Sequence, residues 1–233
     1  MLTIESAKAM LVAKKAFDSR GTLNGFSNRD HSATHYHLLS LVEMCETLDQ
    51  VKNIGGIEQK LSYLHCSDSL VCVLHYYLSN LNNACDGNVD LATHQFEKDN
   101  SDGRGIIEFD CDQYVLSEMS GIRLMTLQLA LMTVNRTSMP LIGQVLASCG
   151  RTWQDLYQLF LRRTLLAVFR IDHGYENGSY VKIWCGREDA DHLKDLITEL
   201  DGSENFCYDS VYSALSDRYL SSLISDRGNK HAH

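Results

Sequence analysis

The sequence predicts one all-α domain over residues 1–233, and three observations carry that prediction. Proline occurs once, at Pro140, so almost nothing interrupts a helix by removing an amide donor. Apolar residues recur three and four apart through most of the chain, the spacing that gives a helix one buried face. Strict alternation of the kind strands show is scarce. At 233 residues and 44% hydrophobic, the chain can enclose a single core.

Residues 3–18, TIESAKAMLVAKKAFD, read as an amphipathic helix ended by the Gly-, Asn- and Ser-rich stretch from Gly21 to Arg29. A polar entry bearing His31, His35 and His37 leads into a second helix over about residues 33–51, where Leu38, Leu41, Val42, Cys45 and Leu48 share a face. Gly55 and Gly56 break the pattern. Glu58 to Leu81 reads as a third helix, apolar nearly all round in LVCVLHYYL and therefore buried. The polar, glycine-punctuated run from Asn82 to Gly105 reads as a long loop or insert. A fourth helix is predicted over Asp112 to Val134, with Leu124, Leu127, Leu131 and Val134 at core spacing.

Ser138 before Pro140 starts another helix, which Gly150 stops. Thr152 and Asp155 imitate a capping box at the head of a basic helix whose body runs from Leu156 to Phe169. Beyond Gly174 an extended turn is tightest at Asn177-Gly178, and Tyr180 to Trp184 alternate. Helices over about Glu188 to Leu200 and Tyr208 to Ile224 finish the chain, and residues 226–233 read as a frayed tail.

A formal net charge of -9 argues against a nucleic acid polymer as partner, because non-specific binding needs Lys and Arg spread along a surface. No segment has the length of uninterrupted apolar residues that a membrane span requires, and no charged-then-apolar leader opens the chain, which places it in the cytoplasm. The eight cysteines form no CxxC pair and no tight zinc spacing, so they read as small buried residues in a reducing compartment.

Three groups of residues can carry chemistry. Glu43 and Glu46, three apart on the second helix, project side by side and can hold a hard cation such as Mg²⁺ through oxygen ligands. Exposed carboxylate pairs at this spacing are also common on helix surfaces. His65, Asp68, Cys72 and His75 share a face of the third helix, where they either satisfy one another or look towards the glutamates. The third group lies in Thr152 to Asp189, a basic and aromatic stretch inside an acidic protein. There Arg163 and Arg170, seven apart on one helical face, and Lys182 suit phosphate oxygens, with Tyr175 and Tyr180 offering rings or hydroxyls. A solvated basic face balancing nearby carboxylates is the alternative.

Taken in chain order, these residues resemble the all-α, dimeric dUTPase family, which is similar in fold to the dCTPase and MazG-type nucleotide pyrophosphatases. The segment FRIDHGYENGSYVKIWCGRED, Phe169 to Asp189, looks like that family's FRQxxGYxxGxYxKxWxGxEDN run. TWQDLYQLF from Thr152 matches the helix before it, VEMCETLDQ from Val42 looks like the first metal motif, ExxE, and LHYYLS from Leu74 looks like the HF segment. The likeness covers about residues 38–193 and is strongest at its C-terminal end.

The resemblance implies a helical bundle of the dimeric dUTPase or MazG-like type, working as a homodimer. It implies hydrolysis of a pyrimidine deoxynucleotide, dUTP or a relative, to the monophosphate and pyrophosphate by a water activated on Mg²⁺ or Mn²⁺. Glu43 and Glu46 match metal ligands, with Asp68 a third candidate, and Arg163, Arg170, Tyr175 and Lys182 match the substrate side. The departures cluster. The second metal motif falls on Ser69 and Cys72, which supply no carboxylate, Thr164 and Ala167 replace two asparagines, and Ala190 replaces the last residue of EDN. Phosphate-side residues are thus kept while base-reading amides and half the metal ligands are not. The alternative is a catalytically impaired homologue that binds a nucleotide or a protein partner.

Overall fold

A computed structural model describes residues 2–20, 38–43, 57–100, 105–119, 121–133, 138–200 and 208–230. It is mostly helical, as composition and spacing predict, with two small antiparallel hairpins. In chain order come α1 (Ile4–Ser19), α2 (Ile57–Ala84), α3 (Val89–Asn100), β1 (Ile106–Phe109), β2 (Asp112–Val115) and a 3₁₀ turn (Leu116–Glu118). Then follow α4 (Gly121–Thr133), α5 (Met139–Ser148), α6 (Trp153–Asp172), β3 (Ile183–Trp184), β4 (Arg187–Glu188), α7 (Asp189–Leu200) and α8 (Tyr208–Lys230). Residues 38–43 are helical, and the remainder of the helix predicted over 33–51 lies outside the described residues. Among the described residues, no helix is long and apolar enough to cross a membrane.

The chain divides into two compact units. One comprises Met1–Leu11 with Thr22–Leu159, the other Val12–Gly21 with Phe160–His233. In the first, α2 supplies the central apolar surface, with Leu70, Val73, Leu74 and Leu78 all buried. It packs against α3, and α3 and α4 each contact α5. Gly143 on α5 is tightly confined, because an added Cβ would stand 3.0 Å from the Trp153 ring, which would have to shift by a few tenths of an ångström.

Two elements of the first unit correct the sequence reading. The loop predicted over Asn82 to Gly105 contains α3. Asn88 caps it, its Oδ1 accepting from the amides of Asp90 and Leu91 at 3.1 Å each. Ala92 and Phe96, four apart, supply its buried face, and Phe96 meets Tyr77 with ring centroids 5.9 Å apart. With Thr93 also buried, three buried residues anchor this short helix, and its polar composition hid them. The fourth helix starts at Gly121, because residues before it form the hairpin β1–β2 in the register Ile106↔Val115 to Phe109↔Asp112. Its two-residue turn holds Asp110 at φ 52° and Cys111 at φ 66°, the positive-φ pair that matches strand twist.

In the second unit, α7 packs on α8, and α8 also contacts β3. Phe169, fully buried on α6, is the centre of an aromatic cluster, with Tyr219 at 5.4 Å and Tyr180 and Tyr212 each at 6.0 Å between centroids. All three meet it edge-on or steeply tilted, the arrangement that sets ring edge against ring face. The backbone of α8 is helical through Lys230, past the end predicted at Ile224. Once a helix is nucleated, each further residue adds a hydrogen bond, so it outlasts its apolar pattern. Residues 231–233 of the predicted tail lie outside the described residues.

Candidate functional site

The site is built from the C-terminal end of α6 onward. At its other end, Thr152 and Asp155 form the reciprocal cap the sequence predicts. The Asp155 amide donates to Thr152 Oγ1 at 3.1 Å, and Thr152 N donates to Asp155 Oδ2 at 2.8 Å. The helix ends in a Schellman motif, with Tyr175 N bonded to Arg170 O at 2.9 Å and Gly174 N to Ile171 O at 3.1 Å. Gly174 sits at φ +88°, which an L side chain resists. The following turn is tied by Asn177, whose Oδ1 accepts from Ser179 N at 3.0 Å and from Ser179 Oγ at 2.6 Å.

The chain then runs past Tyr180 into the hairpin β3–β4, in the register Ile183↔Glu188 and Trp184↔Arg187. The turn predicted at Asn177-Gly178 is present, with Gly178 at φ 74° and its amide bonded to Tyr175 O at 3.2 Å, and the hairpin adds a second tight turn at Cys185 (φ 52°) and Gly186 (φ 72°). Trp184 is buried, and its ring stacks on His192 of α7 at 3.7 Å and 11°. His192 Nε2 lies 3.0 Å from Trp184 O, which seats the hairpin on the first turns of α7.

At the junction of hairpin and α7 lies Asp189, 0% exposed. Arg170 grips its carboxylate with two parallel bonds, Nε to Oδ2 at 2.7 Å and Nη2 to Oδ1 at 2.8 Å. The Tyr180 hydroxyl donates to Oδ2 at 2.7 Å, and the Ala190 amide donates to Oδ1 at 2.8 Å. The Asp189 amide donates to Lys182 O at 3.0 Å. Burial pushes the Asp189 carboxyl up, but the hydrogen bonds from Arg170 and Tyr180 prevail and hold it below the usual carboxylate range. Arg170 is raised in turn, chiefly by its bond to Asp189, and burial with the adjacent carboxylate raises Tyr180.

A second triad of the same composition is centred on Asp172, two residues after Arg170. Arg20 donates through Nε and Nη2 to Asp172 at 2.9 Å and 2.8 Å, and the Tyr212 hydroxyl donates to Asp172 Oδ2 at 2.7 Å. Burial acts upward on Asp172, and the bonds from Arg20 and Tyr212 hold it lowered.

The residues predicted for the substrate side all fall in the second unit. Arg170 and Lys182 meet at Asp189, one through its side chain and the other through its carbonyl. Lys182 Nζ also pairs with Glu188 at 3.1 Å, both side chains about half exposed. Tyr175 is 55% exposed, with its ring 6.2 Å from that of Tyr180. Arg163 is exposed on α6, two turns and about 10 Å before Arg170. Asp189 is the residue whose importance the sequence leaves unmarked. Its signals are the match to the EDN run and a carboxylate at the start of an amphipathic helix, and neither marks it as the partner of Arg170.

The predicted metal residues belong to the first unit where they are described. Glu43 is exposed within the helical residues 38–43, Asp68 is half-buried on α2, and Glu46 lies outside the described residues. Ser69 is buried and Cys72 half-buried on the same helix. Among the described residues, no three His, Cys, Asp or Glu side chains come together as a metal-binding group. Of the predicted set, Glu43 and Asp68 are the described members, and carboxylate oxygens are the kind of donor a hard cation such as Mg²⁺ takes. No protein-family model matches the chain, and no curated protein matches it either.

Proposed function

We propose that this chain is a dUTPase-like nucleoside triphosphate diphosphatase with a helical fold of the dimeric dUTPase type, releasing pyrophosphate from dUTP or a related pyrimidine deoxynucleotide. The observation that supports this reading is the local build of Phe169 to Asp189. Six of the positions through which this segment resembles the family (Phe169, Arg170, Gly174, Tyr180, Trp184 and Asp189) help hold its shape. Phe169 centres the aromatic cluster, Gly174 takes the positive φ, Trp184 fills the space over His192, and Asp189 joins Arg170 to Tyr180.

In this reading Arg170, Lys182 and Arg163 hold phosphate oxygens, and Tyr175 flanks them. Positive groups fixed in advance stabilise the charge that builds as a phosphoanhydride breaks. Glu43 and Glu46, with Asp68, hold Mg²⁺ or Mn²⁺, which when bound supplies a Lewis acid and an acidified water. Glu43 is exposed, so its carboxylate can meet the ion without crossing a core.

A second reading rests on Ser69 and Cys72. Buried and half-buried on α2, they offer no carboxylate, which favours a binding module that keeps phosphate recognition and has lost turnover. Pyrophosphate release from dUTP, dCTP, dTTP and ATP, with Mg²⁺ and with Mn²⁺, separates the two. The diphosphatase reading expects release from a pyrimidine deoxynucleotide, lost in Glu46→Gln. Nucleotide binding that Arg170→Ala removes, with no release from any substrate, would leave the binding module alone.

A further inference from the structure

We infer that Asp189 is a positioning residue for an anion site, orienting Arg170 and fixing the chain at Lys182 so that both cations address one pyrophosphate group. The inference rests on the reading of Arg170 and Lys182 as phosphate ligands, and it adds to that site a buried carboxylate and the Tyr180 hydroxyl.

A guanidinium on a long side chain loses much rotamer freedom when it binds, unless a partner already holds it. Asp189 holds the Nε and Nη2 edge of Arg170 in two short parallel bonds. Among the described residues no hydrogen bond uses Nη1 of Arg170, and the side chain is 28% exposed. One edge is therefore anchored on Asp189, while the side chain keeps part of its surface exposed.

A carboxylate this close would ordinarily cancel the charge an anion needs. Here its charge is shared with other donors. The Tyr180 hydroxyl and the Ala190 amide both bond to it, and it sits at the N-terminus of α7, where the helix end favours negative charge. Its own amide holds Lys182 O, so the second cation leaves the chain beside the first triad. The Lys182–Glu188 pair at 3.1 Å is half exposed on both sides, an arrangement that contributes little and exchanges readily for a phosphate oxygen.

The test is titration calorimetry of inorganic pyrophosphate into the full chain and into Asp189→Asn, Tyr180→Phe and Arg170→Lys. It is run at a temperature where circular dichroism shows each variant folded. Asp189→Asn and Arg170→Lys are expected to weaken binding at least about tenfold, and Tyr180→Phe about threefold, about 1.4 and 0.65 kcal/mol. For any variant that turns over dUTP, the loss is expected in kcat as well as KM, because the same cations hold the charge that builds as the phosphoanhydride breaks. A melting temperature that falls while the dissociation constant stays within twofold of wild type means that Asp189 only holds the fold, and this overturns the inference. If Asp189→Asn does not fold, unchanged binding by both Tyr180→Phe and Arg170→Lys overturns it equally. Pyrophosphate binding with the expected losses, but no nucleotide hydrolysis, removes the diphosphatase reading and keeps this one. Hydrolysis of dUTP with unaltered pyrophosphate affinity in the variants does the reverse.

Discussion

Gly174→Ala isolates the turn on which the candidate site depends. Gly174 sits at φ +88°, beyond the ordinary left-handed region near +57°, and that conformation costs an L-residue about 1–2 kcal/mol. The added Cβ would lie 2.1 Å from Ser179 Oγ and 2.8 Å from Asn177 Oδ1, so the serine has to leave. Its departure breaks the 2.6 Å bond to Asn177 Oδ1. Because that bond is exposed and water can replace it, the loss is about 0.5–1 kcal/mol. Against this, alanine stiffens the unfolded chain and returns roughly 0.4–1 kcal/mol. The net expectation is destabilisation by about 1–2 kcal/mol.

Urea unfolding followed by tryptophan fluorescence measures it, since Trp184 is buried in the same unit. Adding Ser179→Ala removes the closest clash, so the double variant is expected to regain about 0.5 kcal/mol relative to additivity. A Gly174→Ala chain as stable as wild type would refute the reasoning, as would a double variant that shows no coupling.

Three further outcomes follow from the same contacts. Asp172 and Asp189 titrate below the usual carboxylate range, so their contribution is fully present above about pH 5 and lost as pH falls through about 4 and below. The urea midpoint should hold from neutrality to about pH 5 and then drop, and Asp172→Asn should flatten part of that drop. Lys14 is buried, with Nζ 2.5 Å from Asp18 and over the Phe17 ring, yet Lys14→Met should change stability by less than about 1 kcal/mol, because removing a buried charge offsets losing its partner. A loss above about 3 kcal/mol by chemical denaturation would contradict that balance. Iodoacetamide labelling of the native chain, mapped by mass spectrometry, should reach exposed Cys111 and Cys185 at the two hairpin tips well before buried Cys66, Cys85 and Cys149.

What the sequence made legible was local. Thr152 and Asp155 announce a cap through chemistry contained in four residues, and the structure bonds them reciprocally. Gly174 announces a helix stop for the same reason, as only glycine takes that φ cheaply. The missed elements depended on partners distant in the chain. Helix α3 is polar over most of its length and is held by Ala92 and Phe96 against α2, so composition alone reads it as loop. The β1–β2 hairpin is short, and its turn carries Asp110-Cys111 in place of a glycine, which removes the usual signal. The same limit governed the site. Arg163, Arg170, Lys182 and Tyr175 stand out as charge and aromaticity, whereas Asp189 matters because a residue 19 positions away grips it. Arg20 was equally silent, since its partner Asp172 is 152 positions on.

The most direct test of the central claim is phosphorus NMR of the products formed when the full chain is incubated with dUTP and Mg²⁺. Cleavage between the α and β phosphates yields dUMP and pyrophosphate in equal amounts, and that is the predicted result, abolished in Glu46→Gln. Release of orthophosphate with dUDP, or unchanged dUTP at high enzyme concentration, would contradict it.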